Sequence, residues 1–343
     1  MKISTGFTLL FAVLLALFTT GSKSFATDDV KAAYVDRTIR LIVGYGAGGG
    51  YDAFARLIAP ELERETGANV VVQNKSGAGG LAVLNDVART DSDIATLTIA
   101  NVSAAVNAKL IGSEAARFSV TDFVWLGGIS SDKRVLLMAA GTSLADWRST
   151  PQSPALIRWA AGGKTDNLAL SAALLSEAFG FNSKIITGYK GSNEAIAALL
   201  RGEADGTVVS IETAMNFVHE TDLTIAAVLS DKRSKLAPDL PTLYEMDMHP
   251  ASREWIDYQV NLSTLGRALI IAPGTPQANV DFLRQALQRI LTDPDFIKSA
   301  AERGRAINFV TAGAIASATN SVLDPASNVD RDALLTVLGQ KYF

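Results

Sequence analysis

Apolar residues recur along the chain as short β-branched runs, each followed by a glycine-rich stretch and then by apolar residues at helical spacing. The first such unit is 39–43, a glycine loop, and 53–65 with Phe54, Leu57, Ile58 and Leu62 on one face, which predicts strand, loop and helix. The run 69–73, the glycines of 76–80 and the stretch 81–89 repeat it. Further short runs predict strands at 96–100, 135–139, 156–161, 184–187, 207–211, 224–229 and 268–271. Strands alternating with helices predict an α/β fold, each lobe a mostly parallel sheet covered on both faces. The chain is expected to pass between two lobes near 134–140 and again near 265–272, the first lobe taking both chain ends.

The N-terminus departs from this alternation. Lys2, an apolar run over 7–18, and Ser24, Phe25 and Ala26 have the layout of a cleavable secretory signal, with cleavage expected after Ala26. The apolar run is shorter than the roughly 20 residues a membrane anchor needs. The expected compartment is the periplasm. Of 343 residues, 31 are Lys or Arg and 35 Asp or Glu; removing Lys2 and Lys23 leaves 31 − 2 = 29 cations and a net charge of 29 − 35 = −6. Charges of both signs are mixed along the chain, so no nucleic-acid partner is expected. With no Cys and only His219 and His249, thiol nucleophiles, disulfides and zinc sites are not expected, nor is any metal or cofactor.

Chemistry therefore falls to the glycine loops. Gly44, Gly46 and Gly49 satisfy G-x-G-x-x-G between a strand and a helix, the dinucleotide pattern, but the second strand ends in Gln73 and Asn74 where that pattern wants an acid. Gly48, Gly49 and Gly50 are read as a backbone that approaches a small anion at a helix N-terminus, with Asp52 as either a cap or a ligand contact. The second loop, Ser76, Gly77, Ala78 and Gly79, repeats the logic at the neighbouring strand, so the two are expected to share a cleft. A third loop contains Gly163, Lys164 and Thr165 but lacks the first glycine of a phosphate loop, since Arg158 stands there. In a fourth, Tyr189 could supply an apolar wall and Lys190 a cation, beside Gly191 and Ser192. Ser210 closes a strand as a helix cap or a ligand contact.

No catalytic arrangement emerges. Gly141 to Ala145 lacks the last glycine of G-x-S-x-G, and neither histidine has a partner placed by sequence.

The ordered blocks 48–56, 71–80, 188–192, 200–205, 238–245 and 272–276, with Arg233, resemble the solute-binding receptors of tripartite tricarboxylate transporters, the Bug family, over about 37–304. The resemblance implies a type II-like two-lobed periplasmic binding protein with two crossing hinge segments: signal 1–26, first lobe 27–137 and 268–343, second lobe 138–267. It implies a monomeric receptor that closes on a small organic acid or amino acid, delivers it to integral membrane transporter subunits, and catalyses nothing. The alternative is an exported or dinucleotide-binding α/β enzyme acting on a small carboxylate. The site residues it implies are Gly48, Gly49, Gly50, Tyr51, Asp52, Ser76, Gly77, Ala78, Gly79, Gly163, Lys164, Thr165, Tyr189, Lys190, Gly191, Ser192 and Ser210. Ala47 replaces the proline common in the family's first loop, and Lys75 and Ser76 replace its Arg-Pro. Lys164 favours a second ligand carboxylate, whereas Asp166 could neutralise that charge or bind an amine.

Overall fold

A computed structural model describes residues 27–131, 133–143, 156–234, 236–246, 248, 253–324 and 330–343. The expected cleavage position Ala26 and His249 lie outside them. Strands β1 (Thr38–Val43), β2 (Asn69–Asn74), β3 (Thr96–Asn101) and β4 (Val124–Ser130) come first. β5 (Arg134–Met138), β6 (Ile157–Ala160), β7 (Ser183–Ile186), β8 (Gly206–Ser210) and β9 (Thr224–Leu229) follow, and then β10 (Arg267–Ile271) and β11 (Val310–Thr311). They form two sheets, ordered β11-β4-β10-β3-β1-β2 and β7-β6-β8-β5-β9.

The two orders are the same pattern twice. In the first sheet β1, β2, β3 and β4 run one way and β10 runs against β3 and β4; in the second, β5 runs against β8 and β9 while β6, β7 and β8 are parallel. Each reversed strand is the one that has just arrived from the other lobe. Both faces of the first sheet are covered, one by Phe54, Ile58 and Leu283, the other by Val102, Val106 and Phe118. The second sheet packs around Trp159, Leu170, Leu174 and Ile196. Apolar strands buried on both faces read as continuous runs, which is why most of them are legible. β4 is not, because Gly127 and Gly128 interrupt it. A Cβ on Gly128 would lie 3.0 Å from that of Val310 on β11, so the glycine lets the two strands pair closely.

The topology shows where the chain passes between the sheets. β5 pairs with β8 and β9, so the first passage lies between Ser130 and Arg134. The return runs through helix Arg253–Leu265, which touches both lobes: Gln259 donates to Ser171 Oγ at 2.9 Å, and Leu262 O accepts from Ser103 at 2.8 Å. At its end Gly266 has φ +53°, and a Cβ there would lie 1.8 Å from Ser130 O, so the two crossings touch through a glycine. Finally, the C-terminus returns to the second lobe, where Lys341 and Tyr342 meet Glu177 at 2.6 and 2.7 Å and Ile185 N donates to Tyr342 O. No helix among the described residues is long and apolar enough to cross a membrane.

One ion pair ties β6 to the turn before β8. Asp205 accepts from Arg158 N, Nε and Nη2 at 2.8, 3.0 and 2.8 Å. Burial raises the Asp205 carboxyl, but Arg158's side-chain and backbone donors outweigh it and hold it below the ordinary range. A depressed carboxylate stabilises the fold fully above its unfolded pKa of about 3.9 and loses that contribution as pH falls through the folded value. Asp205→Asn is therefore expected to cost about 1 kcal/mol at pH 7, the partly exposed pair being screened by solvent, with the gap to wild type narrowing below about pH 4. Thermal melts of both proteins across that range check it; a gap constant with pH would remove the charge from the argument.

Candidate functional site

The glycine loops meet across the lobes. After β1, the loop 44–49 turns into helix Gly50–Thr66, with Gly48 in the left-handed region at φ +77°. Asp52 holds this loop from beneath: its carboxylate accepts from Gly48 N at 2.8 Å and from Arg56 Nε at 2.9 Å. Burial raises that carboxyl, and these donors more than offset it, keeping it ionised. Asp52 thus shapes the loop.

From the second lobe the turn 188–191 leads into helix Ser192–Leu200, and Lys190 O accepts from Gly46 N at 3.0 Å. Between the two loops lies a cavity of about 180 Å³. Tyr45 to Ala47 and Gly49 to Tyr51 line it from the first lobe, Lys190 to Glu194 and Leu168 from the second, and Asn101 and Arg134 also border it. Tyr45 and Tyr51 pack with their rings tilted at 31° and their centres 4.6 Å apart, an apolar wall. N-termini of helices Gly50–Thr66 and Ser192–Leu200 both reach this space, and the positive ends of their dipoles favour an anion.

The second glycine loop sits on the other side of Tyr45, whose hydroxyl donates to Gly79 O at 2.8 Å and accepts from Asn101 Nδ2 at 2.7 Å. Ser76 to Gly80 line a separate recess of about 300 Å³, with Gly162, Asp166 and Gly188 to Lys190 opposite. Ala78 is held there at φ +48°, in the region that favours glycine. The two loops are neighbours on one rim, yet Tyr45 divides the space before them.

The residues picked from sequence distribute as follows. Gly49, Gly50, Tyr51, Lys190, Gly191 and Ser192 line the cavity. Gly48 stands against Asn193, and Ser76, Gly77, Ala78, Gly79 and Tyr189 line the recess. Gly163 is a contact between lobes, since a Cβ there would lie 3.1 Å from Gly79 N. Lys164 borders neither space, and its ammonium lies 5.1 Å from the centre of the Phe343 ring. Thr165 is buried and lines neither. Ser210 caps helix Ile211–Val218 and stands within 3.4 Å of where a Gly50 Cβ would be, behind the cavity. Lys190 is exposed and paired with Glu194 at 3.8 Å. Asp166 is consumed by the N–H groups of Gly162, Gly163 and Ala169, at 2.7, 3.1 and 2.8 Å.

Sequence reading passed over Tyr45, Asn101, Arg134, Leu168, Asn193 and Glu194. Tyr45 lies inside the first glycine loop and Arg134 immediately precedes the predicted strand 135–139, so the available signal was an aromatic and a cation at strand ends. Asn101 joins the lobes, accepting from Asn167 Nδ2 at 3.1 Å.

Comparison with known proteins gives a consistent picture. The family model described as tripartite tricarboxylate transporter family receptor matches residues 54–314. Protein BugT of Bordetella pertussis is 27% identical over 224 residues, covering 62% of this chain and 67% of that one. The periplasmic binding protein BugD superposes with a TM-score of 0.70 at 25% identity, over 84% of this chain and 95% of that one. MatC of Rhodopseudomonas palustris, in a structure with bound malate, has a TM-score of 0.72 at 21% identity over 88% and 99% of the two chains.

Proposed function

The chain belongs to the tripartite tricarboxylate transporter receptor family, and from that premise we propose that it captures a small organic acid between its lobes and delivers it to membrane transporter subunits. It is a periplasmic solute-binding receptor by family; the ligand class, the carrier, the monomeric state, export after cleavage at Ala26 and the absence of catalysis are our reading. The observation that carries it is the cavity of about 180 Å³ bounded by both lobes, with two helix N-termini and a buried guanidinium at its edge. Such an arrangement favours a small anion over a neutral solute. Malate bound to MatC is in keeping with this. Ligand contacts to both lobes favour the closed arrangement, and release requires only that the lobes part.

The test is thermal unfolding of the chain from Thr27 with mono-, di- and tricarboxylates, amino acids and aromatic acids. A ligand at 100 times its Kd is expected to add about 2.7 kcal/mol, a rise of about 5 °C or more. The bound acid is expected back intact after denaturation, whereas the enzyme alternative returns a product. A panel without any shift would sink the receptor reading for small acids.

A further inference from the structure

Two buried arginines occupy equivalent places in the two sheets. Arg134 opens β5 and Arg267 opens β10, the reversed strand in each lobe. Arg134 lies opposite Ser210, the cap of helix Ile211–Val218, and Arg267 lies opposite Asn101, the cap of helix Val102–Leu110. The same position in one topology thus carries the same cation twice, but the surroundings differ. Arg267 sits 4.9 and 4.8 Å from the ring centres of Tyr51 and Phe54 and donates to Ser130 Oγ and Ser131 O, which makes it part of the wall behind Tyr51. Arg134 borders the cavity itself, is 3% exposed, and donates Nη1 to Val208 O at 2.7 Å.

Glu194 and Lys190, the other charged residues lining the cavity, engage each other. Glu194 receives Lys190 N at 2.8 Å and lies 3.8 Å from Lys190 Nζ, and both side chains are largely exposed. Asp166, whose field reaches Arg134, is occupied by three backbone N–H groups. A guanidinium offers five donors in a plane and serves several acceptors at once, and its fork matches a carboxylate in a way an ammonium does not. Away from bulk water that pairing is also stronger.

Resting on the receptor reading above, we propose that Arg134 is the specificity-determining residue of this site. It receives a carboxylate of the ligand at the cavity floor, and the ligand's carbon body lies against Tyr45, Tyr51 and Leu168. Arg267 acts only through Tyr51, as a positioning residue.

The experiment is titration calorimetry of the chain from Thr27 with succinate, malate, adipate and benzoate and with the matching amides succinamide, malamide, adipamide and benzamide. Wild type, Arg134→Gln, Arg134→Lys and Lys298→Gln are compared. Expected is a wild type that binds at least one acid and prefers it to its amide, a 30- to 100-fold loss of that acid in Arg134→Gln, and less than 3-fold change for the amide. Arg134→Lys keeps the charge without the fork and is expected to lose about 10-fold while still preferring acid; it carries the test should Arg134→Gln melt early without ligand. Lys298→Gln, at an exposed lysine on helix Pro294–Glu302 outside the cavity lining, is expected to change acid binding less than 3-fold. Equal acid binding by wild type and both Arg134 variants overturns the proposal, as does a parallel loss of acid and amide, which would make Arg134 structural. A wild type that binds none of the probes overturns the receptor reading itself and this proposal with it.

Discussion

Replacing Gly79 by alanine is expected to abolish most ligand binding while leaving both lobes folded. Gly79 has φ +64°, and a Cβ there would lie 2.7 Å from Asp166 Cβ and 3.2 Å from Asp166 N, across the gap between lobes. Contacts that short do not occur, so the second glycine loop and the N-terminus of helix Asn167–Phe179 must separate. The Tyr45 to Gly79 hydrogen bond and the Gly46 to Lys190 contact beside it would loosen with them. A receptor that cannot complete closure loses the contacts of one lobe, and a roughly 100-fold rise in Kd, about 2.7 kcal/mol, is the expected size. The left-handed backbone itself costs a side chain about 1–2 kcal/mol, which could mimic the effect through stability. Gly180→Ala separates the two: it has φ +66° but nothing within 4 Å of its Cβ position. That variant is expected to lose similar stability and no affinity. Calorimetry and small-angle scattering with saturating ligand read both quantities, and a Gly79→Ala protein that closes and binds like wild type would remove the loop contact from the mechanism.

Much of the fold was readable because its strands are apolar runs framed by glycine loops, as at 39–43 and 69–73. What escaped were elements whose pattern is set by a partner. β4 carries Gly127 and Gly128 because β11 approaches there, and the C-terminal turn belongs to the second lobe through Glu177, neither of which has a local signature. The site divided in the same way. Loop glycines are visible as composition, so six of the expected residues line the cavity. Sequence marks Gly49 for close approach, yet a Cβ there would meet only Gly46 O at 3.4 Å, while Gly79 is the crowded one. Which glycine faces the other lobe depends on closure geometry. Arg134 and Lys164 show the same limit for charge: the lysine sits in a glycine loop and turns to Phe343, while the arginine, inside an ordinary strand, borders the cavity. Side-chain direction at a strand end is decided by the sheet register.

Asp166→Ala is expected to be the most destabilising single change at the site, by about 3 kcal/mol. The carboxylate caps helix Asn167–Phe179 through Ala169 N, a contribution of about 1 kcal/mol, and it satisfies the N–H groups of Gly162 and Gly163, each costing about 1 kcal/mol or more when left bare. Burial pushes the Asp166 carboxyl up, while the three donors and Arg134 pull it back without cancelling the rise. Asp166→Asn keeps one acceptor and is expected to lose about half as much. A melting point lowered by about 5–10 °C in Asp166→Ala, with Asp166→Asn between it and wild type, is the expected order. The same variants decide what this acid does for a ligand. An aspartate that bound a ligand amine would, once removed, weaken amino acids and spare acids that lack an amine. With the carboxylate spent on its own loop, removal is expected instead to loosen Gly163 against Gly79 and weaken both classes alike. Selective loss of amino-acid binding would return Asp166 to the ligand and leave the loop to be held by other contacts.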